Sequence, residues 1–193
     1  NLQTIWPALW SRRHDGPPPV YRRERWTTPD GDFIDVDFQD AAAPDAPLLV
    51  LFHGLVGSSH SHYAEAFAAY AAAHGMAFAV PHFRGCSGEI NLAPRAYHSG
   101  DHEEVGWILR RLADRAAGRP LLAAGVSLGG NVSLKLAGEL PEHPVANLAR
   151  VAALNPPIDL PRCCLLIERP PNRFYENHFL RGLLAEAHRR GRR

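Results

Sequence analysis

The chain lacks several features that would have settled its class at once. None of its 193 residues falls in an apolar run approaching the ~20 residues of a membrane span, so no transmembrane helix is expected. The opening Asn1-Leu-Gln-Thr-Ile-Trp6 has neither the charged leader nor the apolar core of a signal peptide. It also lacks an initiator Met, as a sequence beginning inside its reading frame would. Cysteine is scarce. Cys86, Cys163 and Cys164 form an odd set with two adjacent members, which is no disulfide framework and suits a reducing, cytoplasmic compartment. There is no P-loop and no G-x-G-x-x-G, so no nucleotide is implied, and no cofactor is expected. Net charge is only +1, which gives no sign of a nucleic-acid partner. The charge is uneven, however. Arg181, Arg189, Arg190, Arg192 and Arg193 crowd the end, opposed there only by Glu186. They read as the solvated face of a helix, with peripheral membrane contact as the alternative.

What is present is a chain 46% hydrophobic and 21% charged, ordinary for a globular protein of one domain. Residues 1–20 read as an irregular arm with Pro17, Pro18 and Pro19. Tyr21–Thr28 and Phe33–Phe38 read as two strands of an antiparallel hairpin turned at Asp30-Gly31. In the second, Ile34, Val36 and Phe38 alternate with Asp35 and Asp37, the pattern of a half-buried strand. After Pro47 the pattern changes to continuous apolar runs, Leu48–Phe52, Ala77–Pro81, Leu121–Ala124 and Ala149–Leu154, as in strands covered on both faces. Helical stretches separate them. His62–His74 is alanine-rich and is followed by Gly75 as a C-terminal cap. A second begins at Asp101, with Asp101 and Glu104 as a capping-box-like pair and Val105, Ile108, Leu109, Leu112 and Ala116 on one face. A third runs from Gly130 to Leu140. Strand–helix alternation implies right-handed crossovers and a mostly parallel sheet with helices on both faces, an α/β fold. After Asn155-Pro-Pro157 the alternation stops, and Tyr175–Arg190 is a further helix. The boundaries that follow are a core over 1–156 and the beginning of a lid or cap over 157–193.

The chemistry centres on Gly125-Val-Ser-Leu-Gly129. A serine hydroxyl is a weak nucleophile that must project from the backbone toward a base, which a sharp strand-to-helix turn achieves. Glycine is needed on both sides because that turn crowds its neighbours. The pentapeptide alone occurs by chance in about one chain in twenty of this length. Here an apolar strand runs straight in and a helix straight out, as a nucleophile elbow requires, so Ser127 is the candidate nucleophile. His53-Gly-Leu-Val-Gly57 follows the first apolar strand, where a glycine-rich loop can approach a substrate closely. The backbone N–H groups of Leu55 and Leu128 are the candidate oxyanion donors. His53 reads as a brace for its own loop rather than as a base.

His53-Gly-Leu-Val-Gly, His82-Phe-Arg-Gly-Cys-Ser-Gly88, Tyr97-His-Ser-Gly-Asp101 and Gly125-Val-Ser-Leu-Gly-Gly-Asn131 occur in that order. With Asn1-Leu-Gln-Thr-Ile-Trp-Pro7 and Gly31-Asp-Phe-Ile-Asp-Val-Asp37 they resemble the YheT-type α/β-hydrolases, the AB hydrolase 4 family, over nearly the whole chain. The resemblance implies a carboxylesterase or acylglycerol lipase whose partner is a small acyl ester, with Ser127 on the family's nucleophile. It also implies that the acid and the base histidine follow later strands, beyond the lid region in which this chain ends. The expectation is therefore a truncated chain, inactive by itself. An acyltransferase using the same elbow, or a non-catalytic fragment or pseudo-hydrolase that binds an acyl ligand or partner, are the alternatives.

Substitutes within the chain are few. Asp159, His178 and His188 are the nearest to an internal triad, but nothing in their spacing makes them converge. His60 and His62, or His98, Asp101 and His102, suggest metal ligands and are explained more simply as surface or capping residues. Cys86 fits small-residue packing in its loop, and Arg84 is expected to tie that loop down through an acidic partner.

Overall fold

A computed structural model of the chain describes residues 17–170 and 172–190. The aromatic opening with Asn1–Pro7, most of the expected arm, and Arg192 and Arg193 lie outside the described residues. The elements are β1 (Arg22–Thr27), β2 (Phe33–Gln39), β3 (Leu48–Phe52), α1 (His62–Ala73), β4 (Ala77–Pro81), α2 (His102–Ala116), β5 (Leu121–Val126), α3 (Leu128–Glu139), β6 (Leu148–Leu154), α4 (Leu160–Ile167) and α5 (Arg173–Arg190). They form one six-stranded sheet in the order β1-β2-β4-β3-β5-β6. The β1–β2 and β2–β4 pairings are antiparallel; β3–β4, β3–β5 and β5–β6 are parallel.

The apolar runs become central strands because helices cover both faces. On one face Leu48, Val50 and Phe52 of β3 pack with Ala79, Ala123 and the buried stripes of α2 and α3. On the other, Leu49 and Leu51 pack with Phe78, Val80 and Ala64, Ala68 and Ala71 of α1. The residue-by-residue alternation of β3 thus splits between two apolar layers. Gly75 sits at φ +66° just past α1, where a side chain would be strained.

Two expectations are corrected. The strand β2 is not half-buried: Asp35 and Asp37 are as buried as Ile34 and Val36. Their cover comes from the neighbouring strand. Arg23 stands opposite Asp37 and Arg25 opposite Asp35, and each guanidinium bonds its carboxylate with two N–H groups at 2.7–2.8 Å. Asp101 and Glu104 form no capping box. Asp101 caps nothing with its side chain and pairs with Arg95 instead, while Glu104 pairs with the buried Arg84. After β6, where the strand–helix alternation stops, comes α4. Asp159 caps it by accepting the Arg162 N–H at 3.0 Å, and Pro161 lies in the first turn, where no helical partner is lost.

Candidate active site

The strand β5 delivers the chain to a reversal at Ser127, and α3 starts with the next residue. Ser127 has φ +54° and ψ −116°, a conformation a non-glycine residue adopts only under constraint, at a cost of about 1–3 kcal/mol. The constraint is visible on both sides. The Ser127 N–H donates to Leu154 O of β6 at 2.9 Å, and its carbonyl accepts the Asn131 N–H at 2.9 Å. The Asn131 side-chain amide also reaches Pro157 O, tying the turn to the exit of β6.

Two glycines make this turn possible by close approach. A Cβ placed on Gly125 would lie 2.1 Å from Gly129 O and 2.6 Å from Gly130 N. One placed on Gly129 would lie 2.1 Å from Phe52 O and 2.6 Å from His53 O, so the first turn of α3 rests directly on the end of β3. That contact brings the His53–Gly57 loop to the elbow. A Cβ on Gly54 would be only 3.4 Å from Ser127 Cβ.

The N–H groups of this loop are unequally committed. The Gly54 N–H donates to Tyr63 Oη at 2.8 Å and the Val56 N–H to Tyr97 Oη at 3.0 Å. The Gly57 N–H closes onto Gly54 O at 3.0 Å. Among the described residues no acceptor meets the N–H of Leu55 or of Leu128. Val56 sits at φ +56°, an outlier for a β-branched residue.

His53 is fully buried. Its Nδ1 faces Gly54 O at 2.8 Å and its Nε2 faces the Phe83 N–H at 3.1 Å. A carbonyl can only accept and an N–H can only donate, so the ring must be neutral and protonated on Nδ1. Burial lowers its pKa to about 3, with the nearby His82 adding to the fall and the Gly54 carbonyl opposing it. The expected brace is what the bonds describe: His53 joins the ends of β3 and β4.

The second brace is Asp37. It accepts from Ser59 Oγ at 2.6 Å, from His82 Nε2 at 2.9 Å and from Arg23, so one carboxylate holds the loops after β3 and β4. Burial alone would raise its pKa, but these donors outweigh burial and hold it well below the ordinary carboxylate range. Arg84 does find acidic partners, in Asp30 and Asp32 at 2.8 and 2.9 Å and in Glu104.

The remaining candidates are engaged locally. His60 is exposed and meets Tyr21 edge-on, and His62 meets Tyr63 likewise. His98 and His102 bond the backbone of Gly100. Cys86 is half-buried and packs against the core. Asp159 caps α4, and His188 bonds Leu184 O within α5. The His178 side chain lies outside what is described. Ser127 Oγ has no hydrogen-bonded histidine or carboxylate among the described residues, which contain no group of three metal-ligating side chains either. A cavity of about 550 Å³ opens between the loop and α5, lined by Leu55, Val56, Phe174, Phe179, Arg181 and Gly182 among others; Ser127 does not line it.

An elbow on β5, a glycine-rich loop after β3 and a mostly parallel sheet converge with what known proteins show. Residues 47–175 match the family model described as the alpha/beta hydrolase fold. The chain belongs to that family. It is 40% identical to YheT of Escherichia coli (strain K12), an esterase by name, over 98% of this chain and 55% of that protein. It is 28% identical to the phospholipase ABHD3 of Mus musculus, over 92% of this chain and 47% of that one. The chain thus spans about half the length of the curated relatives it matches. Among solved structures, a hydrolase from Pseudomonas aeruginosa PA01 superposes with a TM-score of 0.55 at 20% identity, over 82% of this chain and 58% of its own, a likeness of fold.

The tyrosines that hold the loop were not singled out from the sequence. Tyr97 stood inside a quoted motif with no role, and Tyr63 in an alanine-rich helix. A tyrosine in the first turn of that helix, between His62 and Glu65 and close in sequence to a glycine loop, is the sequence signal for Tyr63.

Proposed function

We propose that the protein hydrolyses carboxylic esters through an acyl-enzyme on Ser127. The observation that carries this reading is the strained backbone of Ser127 at a strand-to-helix turn, next to two backbone N–H groups that meet no acceptor among the described residues. Strained serines at such turns have their hydroxyl exposed for attack. The Ser127 oxygen adds to the ester carbonyl carbon while the carbonyl electron pair moves onto its oxygen. The hydroxyl proton passes to a histidine base, as the family resemblance implies, and then to the departing alkoxide. Water repeats the sequence on the acyl-serine and frees the acid. The N–H groups of Leu55 and Leu128 hold the oxyanion in both halves; losing one such donor typically costs about 10²–10³ in rate. Residues 157–193 would begin a lid over this site. The esterase and phospholipase names of the relatives support an ester substrate.

Among the described residues the Ser127 hydroxyl bonds no histidine or carboxylate, which favours a second reading for the 193 residues taken alone, that of a non-catalytic acyl binder. Both are tested by one experiment. Protein from the complete reading frame should be labelled by a fluorophosphonate and turn over p-nitrophenyl butyrate, and Ser127→Ala should abolish both. Labelling that survives the substitution removes Ser127 as nucleophile. Turnover by the complete protein, with saturable binding but no turnover by the 193-residue chain, would assign the binder's role to the short chain only.

A further inference from the structure

The oxyanion loop has a mechanical problem. Its donor, the Leu55 N–H, belongs to the peptide plane that follows Gly54. The carbonyl edge of that plane accepts from His53 Nδ1 at 2.8 Å and from the Gly57 N–H at 3.0 Å. At a glycine, however, the adjoining planes swing at little cost and carry this one with them. A donor that swings must be reoriented in each turnover, which defeats preorganisation. Here the planes on both sides are held by phenolic oxygens. Tyr63 Oη takes the N–H of Gly54 at 2.8 Å, and Tyr97 Oη takes the N–H of Val56 at 3.0 Å.

Both phenols are themselves fixed. Tyr63 rises from the first turn of α1, and a Cβ on Gly57 would come within 2.5 Å of its oxygen, so the loop is wrapped closely around it. Burial raises its pKa above the ordinary phenol value, which keeps the group neutral. The Tyr97 ring stacks on Phe83, with centroids 5.2 Å apart and planes 7° from parallel. Phe83 in turn packs edge-on against His53 at 4.8 Å and donates its N–H to that ring. Tyr97 is thereby tied to the ends of β3 and β4. Its bond also falls on Val56, the strained residue at φ +56°, where the backbone would otherwise relax.

We propose that Tyr63 and Tyr97 are positioning residues that clamp the peptide planes flanking Leu55, so that its N–H, uncommitted among the described residues, is fixed for the oxyanion. This rests on the reading of Leu55 as an oxyanion donor and goes beyond it by naming what aims the donor. In this proposal the two tyrosines act through the loop.

The test uses protein from the complete reading frame and compares Tyr63→Phe, Tyr97→Phe and Ser127→Ala with the parent. The phenylalanine variants delete one oxygen and keep each ring. In each, kcat for p-nitrophenyl butyrate is expected to fall about ten- to a hundredfold, below the loss for removing a donor outright, with KM changed less than about threefold. The decisive readout is the Kd of an alkyl trifluoromethyl ketone, whose adduct with a serine is an oxyanion. It should rise by the same factor as kcat falls, while the Kd of the matching alcohol, which forms no oxyanion, stays constant. A merely structural tyrosine would move both ligands together. If phenylalanine prevents folding, fluorotyrosine at that position supplies a weaker acceptor and should lower kcat in graded fashion. The clamp is overturned if kcat stays within twofold of the parent in both variants while Ser127→Ala is dead, or if ketone and alcohol weaken in parallel. Activity that survives Ser127→Ala sinks the reading of the site itself, and the clamp with it.

Discussion

The two flanks of the central strands β3 and β4 are fastened in opposite ways. On the side of β1 and β2 the fasteners are charged side chains. Asp35 and Asp37 are buried beneath Arg25 and Arg23, and Arg84 gathers Asp30, Asp32 and Glu104. On the side of β5, α3 and β6 the fasteners are bare backbone contacts, made where glycine leaves no side chain between Gly125 and Gly129 or between Gly129 and Phe52. The first kind tolerates small shifts of geometry, since long side chains adjust. The second has no slack, because rigid peptide groups are already in contact. Ser127, the proposed nucleophile, stands on the flank without slack, as a group that must be held to within a fraction of an ångström should.

The largest effect that would sharpen this contrast is one methyl group on the rigid flank. Gly129→Ala puts a Cβ 2.1 Å from Phe52 O, where only movement of β3 or α3 can make room. Loss of folded protein, or destabilisation beyond about 4 kcal/mol, is expected. Gly138→Ala is the control: it lies in the same helix with nothing within 4 Å of its added Cβ, and should stabilise by up to about 1 kcal/mol. Urea denaturation of both variants decides. A Gly129→Ala protein as stable as the parent would mean that this flank has slack after all.

The rigid flank was also the more legible one. The runs Leu48–Phe52 and Leu121–Ala124 are apolar throughout because both faces of a central strand are covered, and the glycines around Ser127 announce the turn by residue type alone. The charged flank was misread because its logic is nonlocal. Asp35 and Asp37 alternate with apolar residues just as a solvated face would, and only the register of β1 against β2 reveals Arg25 and Arg23 above them. Asp101 and Glu104 have the spacing of a cap, yet Arg95 and Arg84, supplied by the preceding loop, claim them. The loop tyrosines act across 9 and 41 residues, beyond the reach of any local pattern.

A pH experiment separates the two kinds of fastener at the point where they meet. His53 must be neutral in the fold, with a pKa near 3, whereas an unfolded histidine titrates near its ordinary 6.5. The unfolded chain therefore binds a proton that the native protein refuses, and stability is lost as pH falls below 6.5 toward 3. Between pH 6.5 and 5 this amounts to about 1–2 kcal/mol, before the carboxylates held by arginine begin to contribute. His53→Gln should be less stable at every pH but flatter across that window. Equal slopes in parent and variant, followed by urea midpoints, would show that His53 is not the group responsible.

The smallest effect tests whether the charged flank is one kind of fastener or two. Arg22 and Arg23 are neighbours on β1, with side chains 45% and 41% exposed, and by their own exposure they look equivalent. Their partners differ. Arg22 reaches Asp40, itself 72% exposed, and Glu24, while its guanidinium shares the Phe38 ring with Arg115. Water can replace the two carboxylate contacts, and Arg115 still covers the Phe38 ring, so Arg22→Ala should cost no more than about 0.5 kcal/mol, and salt screening should shrink that further. Arg23 covers Asp37, which is 2% exposed. Without Arg23 that carboxylate keeps Ser59 and His82 but loses two charge-assisted bonds in a place water reaches poorly, so Arg23→Ala should cost about 1–3 kcal/mol. Half-molar sodium chloride should leave the larger loss nearly intact, since a buried charge is screened little. Equal losses for the two variants in low salt, converging to nothing in high salt, would mean that Asp37 is solvated through the hairpin and that the charged flank is held no more firmly than an ordinary surface.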